Sequence, residues 1–254
     1  MACIEYVGGF SLKKRIAMGV LMALTIGLMA AGMLYYWGVL QFNSPSLQAF
    51  PVRGVDVSHY QGEIDWPVLA AQDIQFAFIK ATEGSGSVDE RFNANFEAAR
   101  KTHLRVGAYH FFSYDSPGIT QAENFMAIVP KTEGMLPPVV DVEFYGDKER
   151  NLPDVAATQR ELTALLEAIE RHYGMKPIIY SFGKAYALYI ANAFEGHDIW
   201  IRDVFRQPVL SDGRQWTFWQ YSDRKVLPGY RADERYIDMN VFEGTQTQFD
   251  GYGR

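Results

Sequence analysis

The segment PPVVDVEF, residues 137–144, sets two acids, Asp141 and Glu143, into a stretch that otherwise reads as a buried strand. Alternate residues of a strand share a face, so both carboxylates project to one side while Val140 and Val142 face the other. Burying like charges together is costly unless something compensates, which points to a metal site or to acid/base chemistry. A solvated edge strand is the plainer alternative.

The elements around this pair alternate between short apolar strands and helical patterns, the mark of a repeating βα architecture. Strands are expected at 54–57, 76–81, 106–112, 139–143, 177–181, 198–201, 217–221 and 236–239. Asp65 with Pro67 opens a short helix, Asp89 precedes one that buries Phe92 and Phe96, and Ser116 with Pro117 opens another. After Asp154, the spacing of Leu162, Leu165, Leu166 and Ile169 predicts a helix that ends at Gly174. Residues 203–215 contain Pro208, Asp212 and Gly213 and lack a helical period, so the last strands lack full crossovers and pair antiparallel. The expected fold is α/β, an irregular, TIM-like (β/α) barrel with incomplete helices late in the chain.

Barrel chemistry gathers where strands end and loops begin. Those positions hold Asp56; Lys80 and Glu83; Tyr109, His110 and Phe111; Asp141 and Glu143; Tyr180; Trp200; Trp219, Gln220 and Tyr221; and Asp238. Histidines are too few, and cysteines absent, for a zinc site of the usual kind. Acids beside flat rings suit a carbohydrate, whose C–H faces pack on aromatics while its hydroxyls take polar partners. Glycoside hydrolysis needs one carboxylic acid to protonate the leaving oxygen and usually an ionised one to stabilise the sugar cation. Taken singly, the aromatics read equally as core, His110 as a structural histidine and Lys80 with Glu83 as an ordinary ion pair. Their joint placement at strand ends is what core packing alone does not require.

The chain has 254 residues, 48% of them hydrophobic, enough for one sizeable domain and an appendage. Residues 16–40 carry no charge, a run long enough to span a bilayer. Lys13, Lys14 and Arg15 precede it, which predicts a cytosolic stretch 1–15, a transmembrane signal anchor 16–40, a linker 41–52 and an exported domain 53–254. Cleavage as a signal peptide, with secretion, is the alternative. The only cysteine, Cys3, lies before this run, so the exported part has no internal disulfide. Removing Glu5, Lys13, Lys14 and Arg15 from the 30 acidic and 24 basic residues leaves 29 and 21 after position 50, a balance that argues against nucleic acid as a partner.

The pieces RGVDVSHYQGEIDW, FAFIKATEG, VGAYHFF, PPVVDVEF, KPIIYS, FWQYS and YIDMNVF occur in this order from residue 53 to 242. Together they resemble the family-25 glycoside hydrolases, the lysozymes called muramidases. That resemblance implies cleavage of the β-1,4 bond between N-acetylmuramic acid and N-acetylglucosamine in peptidoglycan glycan strands, with no metal or organic cofactor. It implies that Glu143 is the general acid and that Asp141 stabilises the reacting centre, with Asp56 and Asp238 lining the same site. Asp141 acts either as the attacking group or by orienting the substrate acetamide; both routes retain configuration. The family's W-x-A-x-Y-like segment is replaced by IWIRDVF, whose Arg202 either meets substrate carboxylates or pairs with Asp203. A non-catalytic, membrane-anchored peptidoglycan-binding scaffold is the second reading. A divalent-metal hydrolase built on the four acids is the third. Protein partners are not legible.

Overall fold

The computed structural model describes residues 11–231 and 234–253. Residues 1–10 of the expected cytosolic stretch 1–15, Cys3 among them, lie outside the described residues. The chain divides into a unit Met1–Gln41 and a unit Phe42–Arg254. In the first, α1 (Leu12–Tyr36) starts and ends four residues ahead of the uncharged run read from the sequence, taking Lys13, Lys14 and Arg15 into its first turn. Among the described residues it is the one helix long and apolar enough to cross a bilayer, by length and composition.

In the second unit, eight strands close into a barrel: β1 (Arg53–Val57), β2 (Phe76–Glu83), β3 (Arg105–Phe111), β4 (Val139–Val142), β5 (Ile178–Phe182), β6 (Ile199–Arg202), β7 (Phe218–Lys225) and β8 (Ile237–Phe242). Each strand from β1 to β7 pairs parallel with the next. The last strand, β8, closes the ring antiparallel to both β7 and β1. Every expected strand is therefore present, and the late antiparallel pairing follows from the missing crossover between β7 and β8.

Strand alternation sorts the side chains into two cores. One face of each strand packs outward, with Val55, Ile79, Val106, Val140, Val142, Ile179 and Ile201 against the flanking helices. The other fills the barrel with Phe76, Phe78, Val139, Ile178, Tyr180, Trp200, Phe218 and Phe242. Near the starts of the parallel strands this interior is an aromatic floor, where Phe76 and Phe218 rings lie 5.3 Å apart and Phe78 stacks on Trp200 at 4.8 Å. Further along the same faces the side chains turn polar.

Helices α2 (Trp66–Ala70), α3 (Phe92–Ala99), α4 (Gly118–Ile128) and α5 (Val155–Tyr173) cover the outside. Asp65 caps α2 by accepting from the Val68 N–H, and Asp154 caps α5 through the Ala157 N–H at 2.8 Å. Gly174 ends α5 at φ 74°, a left-handed conformation in which a Cβ is strained. After β5 only short helical turns, Gly183–Ala185 and Tyr186–Ile190, replace a full helix.

At the start of α4, a Cβ on Gly118 would lie 1.9 Å from the Glu161 carbonyl oxygen of α5, and the Gly118 N–H donates to Glu161 Oε2 at 2.9 Å. Backbone cannot yield as a side chain can. Gly118→Ala is thus expected to cost at least the about 1–3 kcal/mol typical of overpacking. In a thermal melt it appears as a loss of several degrees, and an unchanged midpoint would refute the close approach.

Within the stretch expected as a linker, 41–52, Asn43, Phe50 and Val52 pack on the barrel while residues 46–49 stay exposed. Asn43 is buried and donates to the Asp203 carbonyl at 3.1 Å. Phe50 packs against Trp216 and Trp219, and Val52 is fully buried among the interior residues. Apolar side chains at 50 and 52 make extended solvation unfavourable, so the chain follows the barrel wall.

Candidate active site

Asp56 faces inward from β1, where its Oδ2 accepts from Gln220 Nε2 at 2.9 Å and from Asn240 Nδ2 at 2.7 Å. Each amide is itself oriented. Tyr180 donates its hydroxyl to Gln220 Oε1 at 2.9 Å, and the Trp200 indole N–H donates to Asn240 Oδ1 at 2.8 Å. An indole nitrogen can only donate, so it claims the Asn240 oxygen and turns the NH2 toward Asp56. Two N–H donors favour an ionised carboxylate, and they offset part of the burial that raises Asp56.

Asp238 stands directly across from Asp56 in the β1–β8 register. Burial, then the charges of Asp56 and Asp223, push Asp238 well above the usual carboxylate range. Ionising both members together is thereby disfavoured.

Asp141 and Glu143 form a second pair at the end of β4. Asp141 is buried, and its Oδ1 has no hydrogen-bond partner among the described residues. Burial, then the neighbouring Glu143 charge, raises it well above its usual value. Burial also raises Glu143, the less enclosed of the two, while its bond to Asp141 and the charges of Arg202 and Lys80 oppose the rise. Burial and the neighbouring charge thus disfavour ionising both carboxyls together.

Lys80 completes the mouth. Its Nζ meets Glu83 Oε2 at 2.8 Å and lies 4.9 Å from the centre of the Phe111 ring. A cavity of about 310 Å³ adjoins it, lined by His59, Glu83, Ser87, Val88, Asp89 and Glu90. Burial and the surrounding carboxylates hold Tyr109 and Tyr180 far above the usual phenol value, so both remain neutral hydrogen-bonding groups.

Of the residues singled out from the sequence, Asp56, Lys80, Tyr109, Asp141, Glu143, Tyr180, Trp200, Gln220 and Asp238 share this inward face, with Glu83 and Phe111 beside Lys80. His110, Trp219 and Tyr221 do not. His110 is fully buried on the outward face, bonded to Thr82 at 2.8 Å and Gln121 at 3.0 Å, and burial lowers it to about 4, so it is neutral. Trp219 packs outward on Trp216 and donates to the Asp203 carbonyl, with Tyr221 against its ring. Gln220 points inward, so alternation sends both its neighbours out. Arg202 does not pair with Asp203: it donates to Asp223 at 2.6 Å, while Asp203 caps the N–H groups of Phe205 and Arg206.

Asn240 escaped the sequence reading, although its two-residue offset from Asp238 was available as a signal. Asp238 itself reaches the mouth by a route not anticipated. It lies at the start of an antiparallel strand rather than at the end of a parallel one. Among the described residues no three His, Cys, Asp or Glu side chains are grouped to hold a metal ion.

A sequence profile of the glycosyl hydrolases family 25 matches residues 55–230. A family 25 glycosyl hydrolase structure from Bacillus anthracis superposes with a TM-score of 0.80 at 51% identity, covering 85% of this chain and 98% of that one. The uncharacterised protein YegX of Escherichia coli is 35% identical over 209 residues, 80% of this chain and 74% of its own length. Lysozyme M1 of Streptomyces globisporus is 30% identical over 208 residues, 76% of this chain and 68% of its own.

Proposed function

The chain belongs to the glycosyl hydrolases family 25, and on that premise we propose that it is a membrane-tethered muramidase working through the four acids of the barrel mouth. It is a glycoside hydrolase of the lysozyme type whose substrate is peptidoglycan. The bond cut is the β-1,4 link from N-acetylmuramic acid to N-acetylglucosamine. The observation that carries this reading is the pairing of Asp141 and Glu143 on one inward face beside the hydrogen-bonded Asp56, all above one closed aromatic floor.

Glu143, the outer member of its pair, protonates the leaving glycosidic oxygen. As the bond breaks, positive charge grows on the sugar carbon, and Asp141 stabilises it by direct attack or by orienting the 2-acetamido group, which attacks instead. Glu143, now ionised, takes a proton from the incoming water. Asp56 and Asp238 hold the negative field of the opposite wall, and Tyr180 and Trp200 keep Gln220 and Asn240 turned toward Asp56. Both routes retain configuration.

Helix α1 holds the barrel at the cytoplasmic membrane, with Lys13, Lys14 and Arg15 on the cytosolic side and the barrel outside, facing the wall. A cleaved signal sequence would place the same barrel outside untethered.

The test is the product of the full-length protein acting on purified peptidoglycan. Mass spectrometry is expected to find fragments with reducing-end muramic acid, and NMR the β-anomer first. Initial α-anomer would exclude retention. Anhydro-sugars would exclude hydrolysis, and no release at all would favour the scaffold reading.

A further inference from the structure

Arg202 ends β6 on the inward face, two residues beyond Trp200 and in register with Phe182 of β5 and Gln220 of β7. Three features fix it there. Its Nη2 donates to Asp223 Oδ2 at 2.6 Å, its guanidinium carbon sits 5.5 Å from the centre of the Phe182 ring, and its side chain is only 29% exposed. A planar cation held by a carboxylate and a ring has little freedom to swing away.

We propose that Arg202 is a positioning residue for the reaction, a cation clamped by Asp223 and Phe182 against the Asp56, Asp238 and Glu143 side of the mouth so that these carboxyls keep one fixed charge pattern. This role rests on the hydrolase reading above. It contacts Asp223 from β7, and its charge acts on Asp56 from β1, Glu143 beyond β4, Tyr180 from β5 and Asp238 from β8. Arg224 lies 3.9 Å from the far side of Asp223, and Asp203 turns away to Arg206. Lys80 is the counterpart cation, acting on Asp141 and Glu143.

Burial raises Asp56, Glu143 and Asp238, and the Arg202 charge draws all three back down. Without it, the acid that donates its proton stays protonated to higher pH. The alkaline limb of kcat/KM moves accordingly.

The experiment compares full-length wild type, Arg202→Gln and Arg202→Lys in detergent, by the pH profile of peptidoglycan turnover and by 13C titration of the carboxyl groups. Arg202→Gln is expected to move the alkaline limb and the carboxyl titrations upward by about one pH unit, the lower end for losing an adjacent opposite charge. Arg202→Lys, which keeps the charge, is expected to recover most of that displacement. A natively melting Gln variant with unmoved limb and titrations overturns the clamp, as does a Lys variant displaced as far as Gln. The titration does not need turnover. Wild-type turnover with unmoved variant titrations sinks the clamp alone, whereas a wild type without turnover sinks the hydrolase reading and the positioning role with it, even where the variant titrations move and show the cation setting the carboxyl charge.

Discussion

Replacing Glu143 by Gln is expected to cut turnover on peptidoglycan by about 10³-fold, within the 10²–10⁴ range that a positioned general acid contributes. Gln keeps the shape of Glu but carries no transferable proton, so the leaving sugar departs as an unprotonated alkoxide. The fold is expected to persist, since the substitution removes a charge that burial disfavours and that presses on Asp141. Release of soluble fragments from purified peptidoglycan measures the loss, and a circular dichroism melt checks the fold. A well-folded variant that retains a tenth of the wild-type rate would remove Glu143 from the donor role.

Asp141→Asn is expected to act in two opposite directions. Turnover falls by about 10²–10⁴-fold, because the variant can neither attack the sugar cation nor stabilise it with a full charge. Stability at neutral pH rises. Asp141 has a folded-state pKa well above its ordinary 3.8, raised by burial and by Glu143. The folded state therefore binds more protons than the unfolded one between those two values, and stability declines as pH rises through that window. Asn abolishes this decline. The variant should melt a few degrees above wild type at pH 7, since about 1 kcal/mol moves the midpoint roughly 2–4 °C in a chain of this size. The gain should shrink as pH falls through and below 3.8, where the wild-type carboxyl becomes protonated in the unfolded state as well as the folded one. A variant that melts below wild type at pH 7 would mean that Asp141 is held by interactions favouring its charge, contrary to an acid strained by burial.

Together these variants separate chemistry from folding. A cluster of buried acids is costly to the fold and useful to the reaction, the usual direction of trade-off at a strained site. The amide frame around Asp56 limits that cost at one corner, where Gln220 and Asn240 supply the donors that bulk water would otherwise provide.

Local patterns carried much of this protein. The alternation of Val139 to Glu143 placed Asp141 and Glu143 on one face, because the strand pleat is a property of the backbone and needs no partner. The leucine spacing of α5, its Asp154 cap and its Gly174 stop were legible for the same reason: helix period and capping are satisfied within a few residues. Residues 203–215 lack a helix, as their composition indicates, yet they join β6 to β7, which still pair parallel; the antiparallel closure arises one connection later, between β7 and β8.

Which face of each strand looks inward was not local. Trp219, Gln220 and Tyr221 form an unbroken polar and aromatic run, and only closure of the sheet decided that Gln220 enters the barrel while both neighbours pack outside. His110 was lost to the site in the same way. The partner of Arg202 lies 21 residues ahead rather than next door, because β7 runs alongside β6 and carries Asp223 to it. Asp238 enters the mouth only because β8 is reversed, which turns its first residues toward the end where the parallel strands finish. Protonation was the least legible of all. A carboxyl's pKa depends on the charges and donors around it in space, and Asp56, Asp141, Glu143 and Asp238 acquire theirs from strands separated by much of the chain.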